Sequence, residues 1–340
     1  MMSITRAEDI AHVRFTAPDL GEMRKFLEDF GLACFEQDGV LYARGSDGAP
    51  FAHATEMGEA GFSGLAFRVA GLTELEALAA AEGVAVEAST APGGGHVVRL
   101  TDPDGNRVEV VTGQTWAEPL APDSEAPFNS AAARRRLRMP VRVERRPSRV
   151  RRLGHVVLNV ADFRQSEAWY KARFGFITSD EIEAAPDLAI GAFMRCDRGD
   201  TPTDHHTLFL AQLPPGPGFN HAAFEVEGLD DLMVGHAHLK REGRTPAWGV
   251  GRHVLGSQIF DYWKDPWGHE LEHWTDGDLF VAADGSRLSN MRELLDVQWG
   301  APFPALAGKR APKPETIGKL LALQLRFKRL FRRKPKDIAA

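Results

Sequence analysis

Two histidines and a glutamate stand where strand patterning calls for apolar residues. His155 sits in GHVVLNVADF, His221 in GFNHAAFEVEG and Glu272 in GHELEHW. A single histidine on a half-buried strand is ordinarily a satisfied structural residue. Two imidazoles and one carboxylate at equivalent places in a repeating pattern are harder to dismiss, because they make a 2-His-1-carboxylate set. Such a set leaves adjacent octahedral positions open and suits Fe(II) and oxygen chemistry. Zinc accepts the same ligands, usually with one open position, and Mn(II) is also compatible, so ligand type alone does not choose the metal.

The elements that must position these residues recur along the chain. TDPDGNRVEVVTG, from Thr101, parallels KDPWGHELEHWTDG, from Lys264, and each puts a glutamate four residues after its turn glycine: Glu109 and Glu272. AHVRFTAPDL, from Ala11, parallels GHVVLNVADF, from Gly154, and each leads into an amphipathic helix followed by glycine. GFSGLAFRVAGL, from Gly61, parallels GFNHAAFEVEGL, from Gly218. The chain therefore reads as four modules, each a strand, a helix and further strands, paired into two domains. The expected boundaries are 1–116 and 152–295, with a linker at 117–151 and a C-terminal extension at 296–340. Strands related by the module symmetry are expected to face one another across a cupped sheet, so that their inward side chains converge.

The first half is an internal control. It keeps His12 and Glu109, but Gly64 stands where the second half has His221. With one ligand of three missing, the first domain is expected to bind no catalytic metal.

The residues around the three ligands resemble those of the type I extradiol ring-cleaving dioxygenases of the vicinal oxygen chelate superfamily, over roughly residues 8–300. The specific features are HHTLFLAQ, with His206 fifteen residues before His221, and GRHVLGSQIFDYWKDPWGHELEHW, with His253 nine residues before Tyr262 and Tyr262 ten before Glu272. The resemblance implies an α+β fold of four βαβββ modules paired into two barrel-like domains, with the active site in the second. It implies Fe(II) on His155, His221 and Glu272, and His206 as the acid/base residue. Tyr262 and His253 would hydrogen-bond the substrate hydroxylate and the oxygen-derived intermediate. O2 would be the co-substrate and a small aromatic diol the substrate, opened next to its two hydroxyls to a muconic semialdehyde-type product in aromatic catabolism. A catechol is a bidentate oxygen ligand, and chelation to a cation lowers its hydroxyl pKa; an imidazole near neutrality suits the proton transfers.

Adjacent residues at a strand start should face opposite ways, so His205 is expected to turn away from His206. His236, His238, His269 and His273 read as structural. Trp248, Trp263, Trp267, Leu188 and Phe193 are candidates to line the substrate pocket. Two other readings remain open: a 2-oxo-acid-dependent dioxygenase of the hydroxyphenylpyruvate type, and a non-enzymatic small-molecule binding protein of the same superfamily.

The rest of the sequence narrows the setting. Apolar residues make up 43% and charged residues 26%, and the net charge of -6 argues against a general nucleic-acid binder. The linker run RRRLRMPVRVERRPSRVRR lacks interleaved aromatics to stack bases, so no nucleic-acid partner is expected. Cys34 and Cys196 have no CxxC partner, which predicts free thiols. No signal peptide or apolar span is evident, so a cytoplasmic location follows by default. A homo-oligomer is expected from the resemblance. In the C-terminal extension Ile317, Leu320, Leu321 and Leu325 fall near one helical face among basic residues. The expectation is a helix packed on its own protein or a partner subunit, with contact to an anionic membrane or an electron-transfer partner as the sharper alternative.

Overall fold

In a computed structural model of the chain, the described residues are 3–121, 127–307 and 312–332, without the side chains of 327–332. The first half runs β1 (Ala7–Ala17), α1 (Leu20–Phe30), β2 (Ala33–Gln37), β3 (Val40–Arg44), β4 (His53–Met57), β5 (Gly61–Val69), α2 (Leu72–Glu82), β6 (Glu87–Ala88), β7 (His96–Thr101) and β8 (Arg107–Thr112). The second half begins with β9 (Val150–Asn159), α3 (Phe163–Phe174), β10 (Ile177–Ala185), β11 (Leu188–Arg195), β12 (Thr203–Asp204), β13 (Leu208–Ala211), β14 (Gly218–Val226) and α4 (Leu229–Arg241). It closes with β15 (Thr245–Pro246), β16 (Gly251–His253), β17 (Ile259–Lys264), β18 (Glu270–Thr275), β19 (Leu279–Phe280), β20 (Arg287–Asn290), α5 (Met291–Leu295), β21 (Val297–Gly300) and α6 (Pro314–Arg332).

The helices begin and end as the sequence dictates. Asp19 and Asp162 accept backbone N–H bonds at the starts of α1 and α3, and left-handed Gly31 and Gly175 close them. α1 buries Met23, Phe26, Leu27 and Phe30 on one face, and the others follow the same principle of one apolar stripe against a sheet.

The repeat is explicit in the pairing. The first sheet has the order β2-β3-β4-β1-β5-β8-β7-β6, and the main path of the second is β20-β10-β11-β13-β9-β14-β18-β17-β16-β21. In each, the opening strands of two modules lie antiparallel at the centre, β1 against β5 and β9 against β14. Each central strand is flanked by a parallel partner: β4 and β8 in the first sheet, β13 and β18 in the second. This is the mixed α+β arrangement of two curled, internally doubled sheets.

One core cluster runs through both halves, from Phe26 and Phe67 to Tyr170 and Trp263. Polar links cross between the halves as well. Asp29 receives Arg244 at 2.5 Å and His238 at 3.1 Å, and the Tyr170 hydroxyl donates to Asp102 at 2.9 Å. Between the sheets, Arg134, Arg135, Arg138, Arg142 and Arg145 lie in irregular chain, and Arg146 anchors the end of this run on Asp231 at 2.6 Å.

A second apolar cluster sits over the open side of the second sheet. It joins Val157, Phe193 and Phe209 to Leu321 and Leu325 of α6 and Met291 of α5. The C-terminal helix therefore packs on its own protein through Ile317, Leu321 and Leu325. Leu320 departs from the expected face and is 63% exposed, because it is turned about 100° around the helix from the buried Leu321. Among the described residues no helix is long and apolar enough to cross a membrane.

Candidate metal centre and substrate cavity

The three expected ligands come from neighbouring strands. His155 on β9 and Glu272 on β18 both register with Ala223 of β14, one from each side. Residues opposite one another on adjacent strands share a face, and so does the residue two positions along. His221 is two residues before Ala223, so all three side chains leave the same surface, with only the methyl of Ala223 between His155 and Glu272. The convergence expected from sequence is present, but it arises between adjacent strands of a curled sheet and not across a cup.

Nε2 of His155 and Nε2 of His221 each lie 3.3 Å from Oε2 of Glu272. One ligand atom from each residue lies within 4.8 Å of the other two, which makes this a candidate metal site. Glu272 is 0% exposed, and neither of its oxygens has a hydrogen-bond partner of good geometry. Burying a carboxylate so poorly satisfied is expensive, of the order of several kcal/mol. A cation held by the two imidazoles and this carboxylate supplies the missing partner, so the residues fit a metal. Burial would raise the Glu272 pKa, yet contacts from His155, His221 and His253 outweigh it and hold the carboxyl well below its usual range. Burial lowers the pKa of His155, only partly offset by Glu272, which favours the neutral ligand form.

The surroundings orient the ligands. His221 turns Nδ1 to Oδ1 of Asn220 at 2.8 Å, leaving Nε2 for the centre. Gly154 gives close passage to an indole: a Cβ there would lie 2.5 Å from the ring of Trp274, which packs beside His155 at 6.1 Å between centroids.

The three helper residues gather around this point. The His206 ring is 4.0 Å from that of His155. His253 Nε2 lies 3.0 Å from the Tyr262 hydroxyl, and Tyr262 registers directly opposite Glu272. Burial and then the Glu272 charge push the Tyr262 phenol well above its usual pKa, so it stays protonated as a donor. Burial, followed by the neighbouring His155 and His205, pushes His206 well below the ordinary imidazole value. All six residues but Glu272 line one cavity, whose far wall includes Val157, Phe193, Phe209, Leu255, Leu294 and Phe303.

Several expectations change here. His205 does not face away from His206: the two Nδ1 atoms lie 3.0 Å apart. Residues 205–207 form a bend between β12 and β13, so strand alternation does not apply to them. Of the five proposed lining residues, Trp248 and Phe193 line the cavity. Trp263 is instead fully buried and donates to Asp261 at 2.6 Å, Trp267 packs on the main core, and Leu188 lies outside the cavity. Phe209, Leu255, Leu294 and Phe303 were missed. Phe209 carried a signal, two strand positions before Ala211, which lines the same cavity, but the approach of α5 and Phe303 to the cavity has none. His236, His238, His269 and His273 have partners of their own in Asp261, Asp29, Asp265 and the carbonyl of Phe30.

The first half shows what replaces the site. His12 and Glu109 both register with Ala66, as His155 and Glu272 do with Ala223. Where the second half pairs Val157 with His221, the first pairs Arg14 with Gly64. The Glu109 carboxylate is bonded by His12 at 2.9 Å, Arg14 at 2.8 Å, Arg99 at 3.2 Å and also by Arg107. Guanidinium groups thus supply the positive charge there.

Fold and site together define a vicinal-oxygen-chelate arrangement with one open ligand triad. Residues 152–273 match the family described as the Glyoxalase/Bleomycin resistance protein/Dioxygenase superfamily. It is 29% identical over 300 residues to metapyrocatechase 2 of Cupriavidus necator, covering 87% of this chain and 89% of that protein. Among solved structures, a Mn(II)-bound glyoxalase from Novosphingobium aromaticivorans superposes with a TM-score of 0.71 at 22% identity, covering 88% of this chain and 93% of the other. A 2,3-dioxygenase from Pseudomonas sp. KL28 gives 0.69 at 18% identity, covering 85% and 99%. At these identities the two structures speak for the fold.

Proposed function

We propose that the chain is an extradiol catechol dioxygenase, opening an aromatic diol with O2 on Fe(II) held by His155, His221 and Glu272. The observation that carries this reading is the meeting of that triad with His206 and the His253–Tyr262 pair, all but Glu272 lining one cavity. Similarity to a metapyrocatechase over most of both chains supports it. Fe(II) bound there would supply the chelation that acidifies a catechol hydroxyl and the redox coupling between the diol and O2.

The chain's own residues do the rest. His206 accepts and returns protons from its free ring nitrogen. Tyr262 donates a hydrogen bond to substrate oxygen and is itself held by His253. Phe193, stacked on Phe209 at 3.9 Å, and Leu255 hold the aromatic ring and exclude water. No lysine or arginine lines the cavity among the described residues, whereas Glu293 does. Uncharged ring substituents therefore suit it better than carboxylates. The segment 1–116 serves as a barrel without a catalytic metal, its triad position taken by Arg14 and Gly64.

The test is oxygen uptake by Fe(II)-loaded protein given a catechol and no keto acid. Uptake with a yellow ring-fission product supports the reading. Uptake that requires an added 2-oxo acid would shift it to the keto-acid-dependent class.

A further inference from the structure

A buried chain of polar groups runs from the sheet edge into the cavity, and sequence reasoning had set one of its members aside. Asp180 on β10 is 5% exposed. Its Oδ2 lies 2.7 Å from Nε2 of His205, while its Oδ1 accepts from Arg287 Nε and Ser289 Oγ, each at 2.9 Å. Nδ1 of His205 lies 3.0 Å from Nδ1 of His206, and His206 lines the cavity. We propose that Asp180 and His205 are positioning residues that fix His206 as its Nδ1–H tautomer, presenting Nε2 as a free proton acceptor at the substrate.

The assignment follows from counting donors. An ionised carboxylate only accepts, and the bonds to His205, Arg287 and Ser289 overcome burial to hold the Asp180 carboxyl at about 2. His205 Nε2 must therefore carry the hydrogen. Arg287 also bonds Asp180, and the buried His205 is taken as the neutral ring, with Nδ1 a lone pair. His206 Nδ1 must then donate, which leaves its Nε2 unprotonated.

The rings are held so that this order persists. The backbone N–H of His205 donates to the carbonyl of Asp278 at 2.9 Å, and Ser179 Oγ donates to its carbonyl at 2.6 Å. Phe193 and Phe280 flank the ring at 5.3 and 5.5 Å. Gly256 closes the third side, where a Cβ would come within 2.9 Å of Nδ1. Resting on the catechol reading above, the consequence is directional. The substrate O–H bond breaks, the proton passes to His206 Nε2, and the electron pair stays on the substrate oxygen.

Changing Asp180 to Asn is informative because Oδ1 is committed to two donors. The amide oxygen must stay toward Arg287 and Ser289, so its N–H2 turns toward His205 Nε2 and forces that nitrogen to accept. The hydrogen then moves to His205 Nδ1, and His206 becomes the Nε2–H tautomer, a donor where an acceptor is needed. A carboxylate-to-amide change of this kind in a hydrolytic triad lowers kcat about 10⁴-fold.

The experiment is 15N NMR of the full chain labelled with 15N-histidine and loaded with Zn(II), a diamagnetic stand-in. The expected wild-type spectrum shows His206 protonated on Nδ1 and His205 on Nε2. In Asp180→Asn both assignments reverse, and the Fe(II)-loaded variant loses about 10²–10⁴ in kcat with KM little changed. A wild-type His206 protonated on Nε2, or a His205 protonated on both nitrogens, overturns the proposal, and this holds even should the variant fail to fold. Unchanged tautomers and kcat in a folded variant overturn it too. The tautomers are read without turnover, so a protein that shows them yet leaves catechols intact refutes the dioxygenase reading and not this one.

Discussion

Arg14 donates from Nε to Glu109 at 2.8 Å in the first sheet, standing opposite Gly64 where the second sheet sets Val157 opposite His221. The two halves thus satisfy the same buried glutamate in different ways, one with fixed guanidinium groups and one with imidazoles that can share a cation. Replacing Arg14 by Met should cost about 3 kcal/mol, the low end for breaking a buried ion pair, because Arg99 and Arg107 remain. Denaturant unfolding checks the cost, and metal content and kcat should not change.

Replacing Glu272 by Gln should cut metal affinity by at least about 100-fold, since the carboxylate is the charged member of the triad. Chelation should lower the melting temperature of the wild type and leave that of the variant unmoved. Equal metal retention in the two proteins would remove Glu272 from the ligand set.

Much of this site was legible because strand periodicity fixes faces. The spacing of His155, His221 and Glu272 within repeated strands was enough to place them on one surface, and Gly64 marked the first half as different. What was not legible depended on departures from regular strand or on distant closure. The bend at 205–207 turned His205 toward His206, against the alternation rule. Arg14 looked like an ordinary strand residue, since nothing local shows that it reaches Glu109. Leu294 and Phe303 reach the cavity only because the chain after β20 folds back over the mouth, and Trp263 points to the opposite face of β17 from Tyr262.

Tyr262→Phe and His253→Gln should each lower kcat by about 10²-fold, the lower range for a group that acts on proton or charge in the transition state. The double variant should lose little more than either single one, because the two side chains share one hydrogen bond at 3.0 Å. Fully additive losses would mean they act separately.

Asp180 gives the fold an acid-sensitive member. Its carboxyl is held at about 2, below the ordinary value of 3.8, so the folded state binds its proton less readily than the unfolded chain does. Stability from this group is complete above about pH 4 and is lost as pH falls toward 2, by about 2 kcal/mol in total. Urea unfolding from pH 6 down to pH 2 should show that loss in the wild type and a shallower one in Asp180→Asn.

Leu321 of α6, 5% exposed, packs into the cluster that backs the cavity wall. Leu321→Ala should cost about 2–3 kcal/mol, the lower part of the range for core leucines. It should also raise KM for bulky substituted catechols more than for catechol itself.

The account stands most directly on oxygen stoichiometry in protein loaded anaerobically with Fe(II). Wild type should consume one O2 for each catechol opened, with ring-fission absorbance rising in step, while Glu272→Gln does neither. Wild-type protein that holds Fe(II) at the triad and leaves catechol and O2 untouched would contradict it.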